Sequence, residues 1–225
     1  VKKLYRFNLF IINKKEASME KNLLAAVEDS ILAIQKLKEP KSIKFMEEAA
    51  LMIASTFLKG GKLIIAGNGG SLCDGMHFAE ELTGFYRKNR PALPAIALSE
   101  PGHLTCVGND VGYEFVFSRG VEAYGKKDDI FIGLTTSGNS KNLVNAFDVA
   151  TQKGLRTIAF LGKDGGVLKG KADLELIIEG FKTSDRIQEA HMAAIHMIIE
   201  MIEKQLFYSE KETLISAFSV TDEQS

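Results

Sequence analysis

Lys62-Leu63-Ile64-Ile65-Ala66-Gly67-Asn68-Gly69-Gly70-Ser71 decides the fold. A short apolar run ends in glycines and opens into Leu72-Cys73-Asp74-Gly75-Met76-His77-Phe78-Ala79-Glu80-Glu81-Leu82, which has the spacing of a helix. Four more apolar runs follow at 94–98, 130–135, 157–161 and 174–178. Helical segments at 71–83, 112–124, 140–153 and 184–206 separate or follow them. Strand alternating with helix is the pattern of a doubly wound parallel sheet. Such sheets bind ligands beyond the carboxyl ends of their strands, where strand order reverses. The turns after the first and third strands are therefore the places to look.

Before the first strand, Leu23, Leu24, Val27, Ile31, Leu32 and Ile34 recur at helical spacing from Met19 to about Leu37, where Pro40 is expected to end the helix. A second helix is expected from Ser42 to Leu58, stopping at Gly60-Gly61. Residues 1–18 are basic and irregular, and are expected to be a dispensable extension ahead of a natural start at Met19.

Composition sets limits. The 225 residues include 28 Lys plus Arg and 29 Asp plus Glu, for a net charge of −1, with 45% hydrophobic and 25% charged residues. That is an ordinary globular balance, too even for a broad nucleic-acid footprint. Two cysteines, Cys73 and Cys106, imply no disulfide framework and suggest a reduced cytoplasm. No apolar run reaches the ~20 residues needed to span a bilayer, and the N-terminus lacks a signal-peptide cleavage pattern.

The first turn, with Asn68, Gly69, Gly70 and Ser71, offers close backbone approach and helix-start N–H groups to an anion. An ordinary tight turn is an equal reading. The third turn, Thr135-Thr136-Ser137-Gly138-Asn139-Ser140, crowds four hydroxyls into six positions. Ser140 is expected to cap the next helix, leaving Thr135, Thr136 and Ser137 to hold a phosphate. His77 and Glu81 lie one turn apart on one helix face, suited to a metal or a proton relay, or to a plain surface pair. Gln188 and His196 are two turns apart on the last helix; His196, inside an apolar run, also reads as a core histidine. His103 falls in the segment Glu100–Asp110, expected to be a loop.

The separated motifs Gly67–Gly84, Asn89-Arg90-Pro91, Cys106–Asp110, Thr136–Ser140, Gly162–Gly166 and Asp185–Glu189 together resemble the phosphoheptose isomerases. The likeness runs from about Met19 to Leu206. It implies a sugar isomerase (SIS) domain over 19–206, with a tail at 207–225: a five-stranded parallel sheet flanked by helices, with N-terminal helices, assembled as a homotetramer with active sites between subunits. It implies a cytoplasmic enzyme converting sedoheptulose 7-phosphate to D-glycero-D-manno-heptose 7-phosphate for lipopolysaccharide or related surface glycans. Glu81 and His196 resemble its acid/base pair. Asn68, Gly69, Gly70, Ser71, Glu81, Asn109, Asp110, Thr135, Thr136, Ser137, Ser140 and Gln188 resemble its substrate contacts. His77, Glu81, Gln188 and His196 resemble its zinc site. Two departures stand out: Phe85 occupies a position where the family commonly has Arg, with Arg87 two residues on, and Thr135 replaces a common Ser. Related domains that lack catalysis and bind proteins are the competing class, but those lose the acid/base pair that Glu81 and His196 keep here. Another sugar phosphate isomerase is the alternative within the enzymes.

Overall fold

A computed structural model of the chain describes residues 2–208, with side chains from Ser18 onward. The residues from 209, most of the expected tail, lie outside it.

The elements in chain order are α1 (Lys2–Gln35), α2 (Pro40–Leu58), β1 (Leu63–Gly67), α3 (Gly70–Thr83), β2 (Ala95–Ala97), α4 (Pro101–Asp110), α5 (Val116–Tyr124), β3 (Ile130–Thr135), α6 (Lys141–Gln152), β4 (Arg156–Gly162), β5 (Leu174–Ile178) and α7 (Ser184–Phe207). All five strands are parallel, in the order β2-β1-β3-β4-β5. The doubly wound expectation therefore holds, with the order reversing between β1 and β3.

Burial follows the strand period of two. Leu63, Ile65, Ile130, Ile132, Leu134, Ile158 and Phe160 face a layer made by α1, α2, α3 and α7. Ile64, Ala66, Phe131, Ala159 and Leu161 face α4, α5 and α6. Because both faces are covered, the central strands read as unbroken apolar runs instead of alternating ones.

Several boundaries differ from expectation for local reasons. Helix α1 runs from Lys2 to Gln35 without a break at Met19. Pro40 starts α2, since its missing N–H and fixed φ suit the first helical turn. The Glu100–Asp110 segment is helix α4, not a loop: the Glu100 carboxylate accepts the N–H groups of Gly102 and His103, and Pro101 opens the first turn. That capping holds the carboxyl of Glu100 below its usual range. His103 lies on this helix, its ring Nε2 2.8 Å from the Val116 carbonyl. The expected helix at 112–124 is divided, Gly112 with φ of 124° preceding a short 3-10 turn before α5.

Candidate active site

The N-termini of α3, α6 and α7 converge beyond the carboxyl ends of β1 and β3. They surround a cavity of about 140 Å³ lined by Asn68, Ser71, Thr135, Thr136, Ser137, Ser140, Ser184 and Gln188, with Leu134 at its base. Three helix starts aimed at one small polar space supply positive potential without a cationic side chain. The hydroxyls are tied together: Thr136 Oγ1 lies 3.0 Å from Ser184 Oγ, and Thr135 Oγ1 lies 3.4 Å from Ser140 Oγ. Thr135 Oγ1 also accepts the Gly138 N–H at 3.2 Å. Ser140 takes the cap position of α6, but its hydroxyl makes no capping hydrogen bond. It is turned to the cavity instead.

Gly70 is needed because Gln188 packs on it. A Cβ there would stand 2.6 Å from Gln188 Oε1, and Gln188 Nε2 donates to Ser71 Oγ at 3.3 Å. Gln188 thus lines the cavity, two turns and about 12 Å of helical rise along α7 from His196.

Further along α3 and α7, His77, Glu81 and His196 come together. The two imidazole Nε2 atoms are 2.9 Å apart, and Glu81 Oε1 is 3.5 Å from His77 Nε2. Ligand atoms of the three residues lie within 4.8 Å of one another, a grouping among the described residues that suits a metal ion. Glu80, which the sequence reading passed over, completes it. His77 Nδ1 sits 2.9 Å from Glu80 Oε1, a contact that suits a proton on Nδ1 and leaves Nε2 as the nitrogen turned to His196 and Glu81. A carboxylate behind a ligating histidine fixes the tautomer that metals require. Burial, followed by the neighbouring His77, lowers the pKa of His196. The Tyr86 ring stacks on His196 at 5.6 Å and 23°.

Asn109 and Asp110 sit exposed at the end of α4, bonded to each other, and do not line the cavity. Tyr113 reaches across instead, donating to Asn68 Oδ1 at 2.9 Å. Asn142, also passed over, exchanges amide hydrogen bonds with Asn68 at 3.0 and 2.9 Å. Its place just after the hydroxyl run was the available signal. Phe85 is exposed. Arg87, two residues on, pairs with Glu200 at 2.9 Å and lies over the Tyr86 ring.

Comparison with known proteins identifies the family. A family model described as an SIS domain matches residues 27–162. The phosphoheptose isomerase of Haemophilus ducreyi is 54% identical over 170 residues, covering 76% of this chain and 88% of that protein. That of Fusobacterium nucleatum is 52% identical over 187 residues, covering 83% and 96%. The chain belongs to the phosphoheptose isomerase family. The solved phosphoheptose isomerase of Francisella tularensis superposes with a TM-score of 0.78 at 32% identity, covering 83% of this chain and 98% of that one. Family membership makes the paired arrangement, hydroxyl cavity and histidine–carboxylate cluster, the feature to explain.

Proposed function

We propose that this protein is an intramolecular oxidoreductase that converts sedoheptulose 7-phosphate to D-glycero-D-manno-heptose 7-phosphate. The observation that carries the reading is the pairing of an anion cavity with a proton-transfer cluster on the same two helices. Ser71 to His77 spans about 9 Å along α3, and Gln188 to His196 about 12 Å along α7. The seven bonds from phosphorus to the ketose carbonyl carbon, at about 1.5 Å each in a zigzag, reach roughly 9 Å. A phosphate held by Thr135, Thr136, Ser137 and Ser140 therefore presents the reacting carbons to Glu81 and His196.

Glu81 takes the proton from carbon 1, and the electron pair forms the enediol double bond to carbon 2. His196 protonates oxygen 2 as its carbonyl opens. Return of the proton from Glu81 to carbon 2, with loss of the oxygen 1 proton to His196, gives the aldose. Burial lowers the pKa of His196, so the imidazolium formed when it takes the oxygen 1 proton gives that proton up readily.

His77, Glu81 and His196 would hold a divalent ion, with zinc fitting two imidazoles and a carboxylate. Bound there, it would supply Lewis-acid stabilisation of charge on the substrate oxygens. Gln188 would bind the sugar, since it faces Ser71.

The product would feed the heptose of lipopolysaccharide or related surface glycans, and the setting would be cytoplasmic; no helix among the described residues is long and apolar enough to cross a membrane. A homotetramer would cover Leu23, Leu24, Val27, Ile31 and Leu32 of α1 and Leu51 of α2, all exposed in the single chain. Retention of Glu81 and His196 favours catalysis over a purely protein-binding role. Incubation with a panel of ketose phosphates, followed by mass analysis and chromatography of the products, tests the reading. Conversion of the seven-carbon substrate above the others is expected, and its inertness would overturn it.

A further inference from the structure

Arg90 is buried where α3 ends, its side chain 1% exposed. Its Nη2 donates to the carbonyl of Glu81 at 2.7 Å, and its Nη1 to those of Leu82, Gly84 and Pro91 at 2.6, 2.9 and 3.1 Å. Its Nε donates to Glu203 Oε1 at 2.8 Å, and the same oxygen accepts the Tyr86 N–H at 3.2 Å. Glu203 is likewise buried, seven residues after His196 on α7, which places both on one face two turns apart.

Two buried charges are an expensive way to join helices. An apolar pair of equal volume packs α3 on α7 at no desolvation penalty. What it does not provide is a rigid fork that fixes the terminal carbonyls of one helix while gripping a carboxylate on another. Those carbonyls begin with that of Glu81 itself. The loop amide on the other side belongs to Tyr86, whose ring lies on His196. One ion pair therefore fixes the end of the helix carrying Glu81, the helix carrying His196 and the ring stacked between them and the loop.

We propose that Arg90 and Glu203 are positioning residues that set the geometry of Glu81 relative to His196; the inference rests on the acid/base reading above. Neither side chain touches the cavity or the reacting groups.

The test uses Arg90→Lys and Glu203→Gln in the full chain, with Thr157→Val as control. Thr157 is buried and bonded to Asp173 at the opposite end of the sheet, so it reports loss of stability alone. Turnover of sedoheptulose 7-phosphate is measured well below each unfolding transition. Histidine labelled with 13C at ring Cε1 alone gives four signals, one for each histidine, and that of His196 carries the ring-current shift from Tyr86. The expectation is a roughly 10- to 100-fold fall in kcat with KM held within about two-fold, the loss typical of reacting groups displaced by about 1 Å. The His196 signal moves in both variants, while Thr157→Val changes neither. A kcat within two-fold of wild type, or an unmoved His196 signal, would overturn the proposal. Should Arg90→Lys not fold, Glu203→Gln decides by the same readings, because it removes the charge that grips Arg90 while keeping the side-chain volume. Should the wild type isomerise no heptose phosphate, the functional reading fails, and the His196 signals alone decide the clamp.

Discussion

Gly138→Ala should loosen phosphate binding while leaving the proton-transfer groups in place. Gly138 has a φ of 65°, and a Cβ there would stand 1.8 Å from the carbonyl oxygen of Gly165. A backbone oxygen cannot rotate away, so the 137–140 loop must withdraw by roughly 1.6 Å to reach an ordinary contact. The two loops are joined by Leu168 N–H to the Gly138 carbonyl at 3.2 Å and Val167 N–H to Asn139 Oδ1 at 3.1 Å. Withdrawal weakens both, at about 1 kcal/mol each. The left-handed conformation costs a non-glycine residue about 1–2 kcal/mol more. The expected loss is therefore about 3 kcal/mol of stability in urea unfolding, together with a KM for the heptose phosphate raised roughly 10- to 100-fold. Competition by inorganic phosphate should weaken in parallel, because it reads the hydroxyl cavity alone. A variant with wild-type stability and KM would refute the close-approach argument. A fall in kcat at constant KM would show that the hydroxyl loop does not hold the phosphate.

Glu81→Gln should slow turnover about 10²- to 10⁴-fold and abolish solvent deuterium exchange at the carbon beside the carbonyl; exchange at the wild-type rate would move the base to another residue. His77→Asn should reduce zinc well below one ion per chain in protein purified without chelator, whereas unchanged metal content would remove His77 as a ligand. Burial drives the pKa of His191 down to about 4, opposed by its bond to the Leu161 carbonyl, so the unfolded chain takes up this proton first. Stability should fall by on the order of 3 kcal/mol as pH drops from about 6.5 to 4, and His191→Leu should flatten that loss in urea melts; equal losses in both proteins would contradict it. Desolvation raises Asp74 to about 6, so its contribution runs the other way, destabilising the fold as pH rises from about 4 to 6, and Asp74→Asn should gain stability at pH 7 but not at pH 4. A monomer mass at micromolar concentration would exclude the tetramer.

The sheet was legible because parallel strands covered on both faces need apolar side chains at every position, as in the fully buried Leu63–Gly67. Helix α4 was not, because only Val107 among its ten residues is buried, which leaves almost no apolar period to detect. Its signals were the Glu100 cap and Pro101. The site was legible residue type by residue type, since hydroxyls, histidines and carboxylates gathered at the two expected turns and on two helices. Which of them meet was less so. Helical spacing puts Gln188 and His196 on a face, but says nothing about the neighbour opposite, and Gln188 meets Ser71. Arg90 was visible only as part of a motif, because its partner Glu203 lies 113 residues away.

The separation of cavity and cluster also has an electrostatic reason. Isomerisation through an enediol builds negative charge on the substrate oxygens beside His196, while the phosphate already carries up to two. At about 10 Å and an effective dielectric near 20, each phosphate charge opposes the developing one by about 1.7 kcal/mol, against about 4 kcal/mol at 4 Å. Three helix N-termini around the hydroxyl cavity offset much of what remains. An arginine clamp would neutralise the phosphate too, but the cavity lining contains no cation. On the proposed reading, neutral hydroxyls and backbone dipoles would bind the anion without placing a mobile positive side chain where it could pair with Glu81. The side-chain neighbour of the Glu81 carboxylate is the His77 ring, with Nε2 3.5 Å from Oε1, and no lysine or arginine of the cavity lining competes for it.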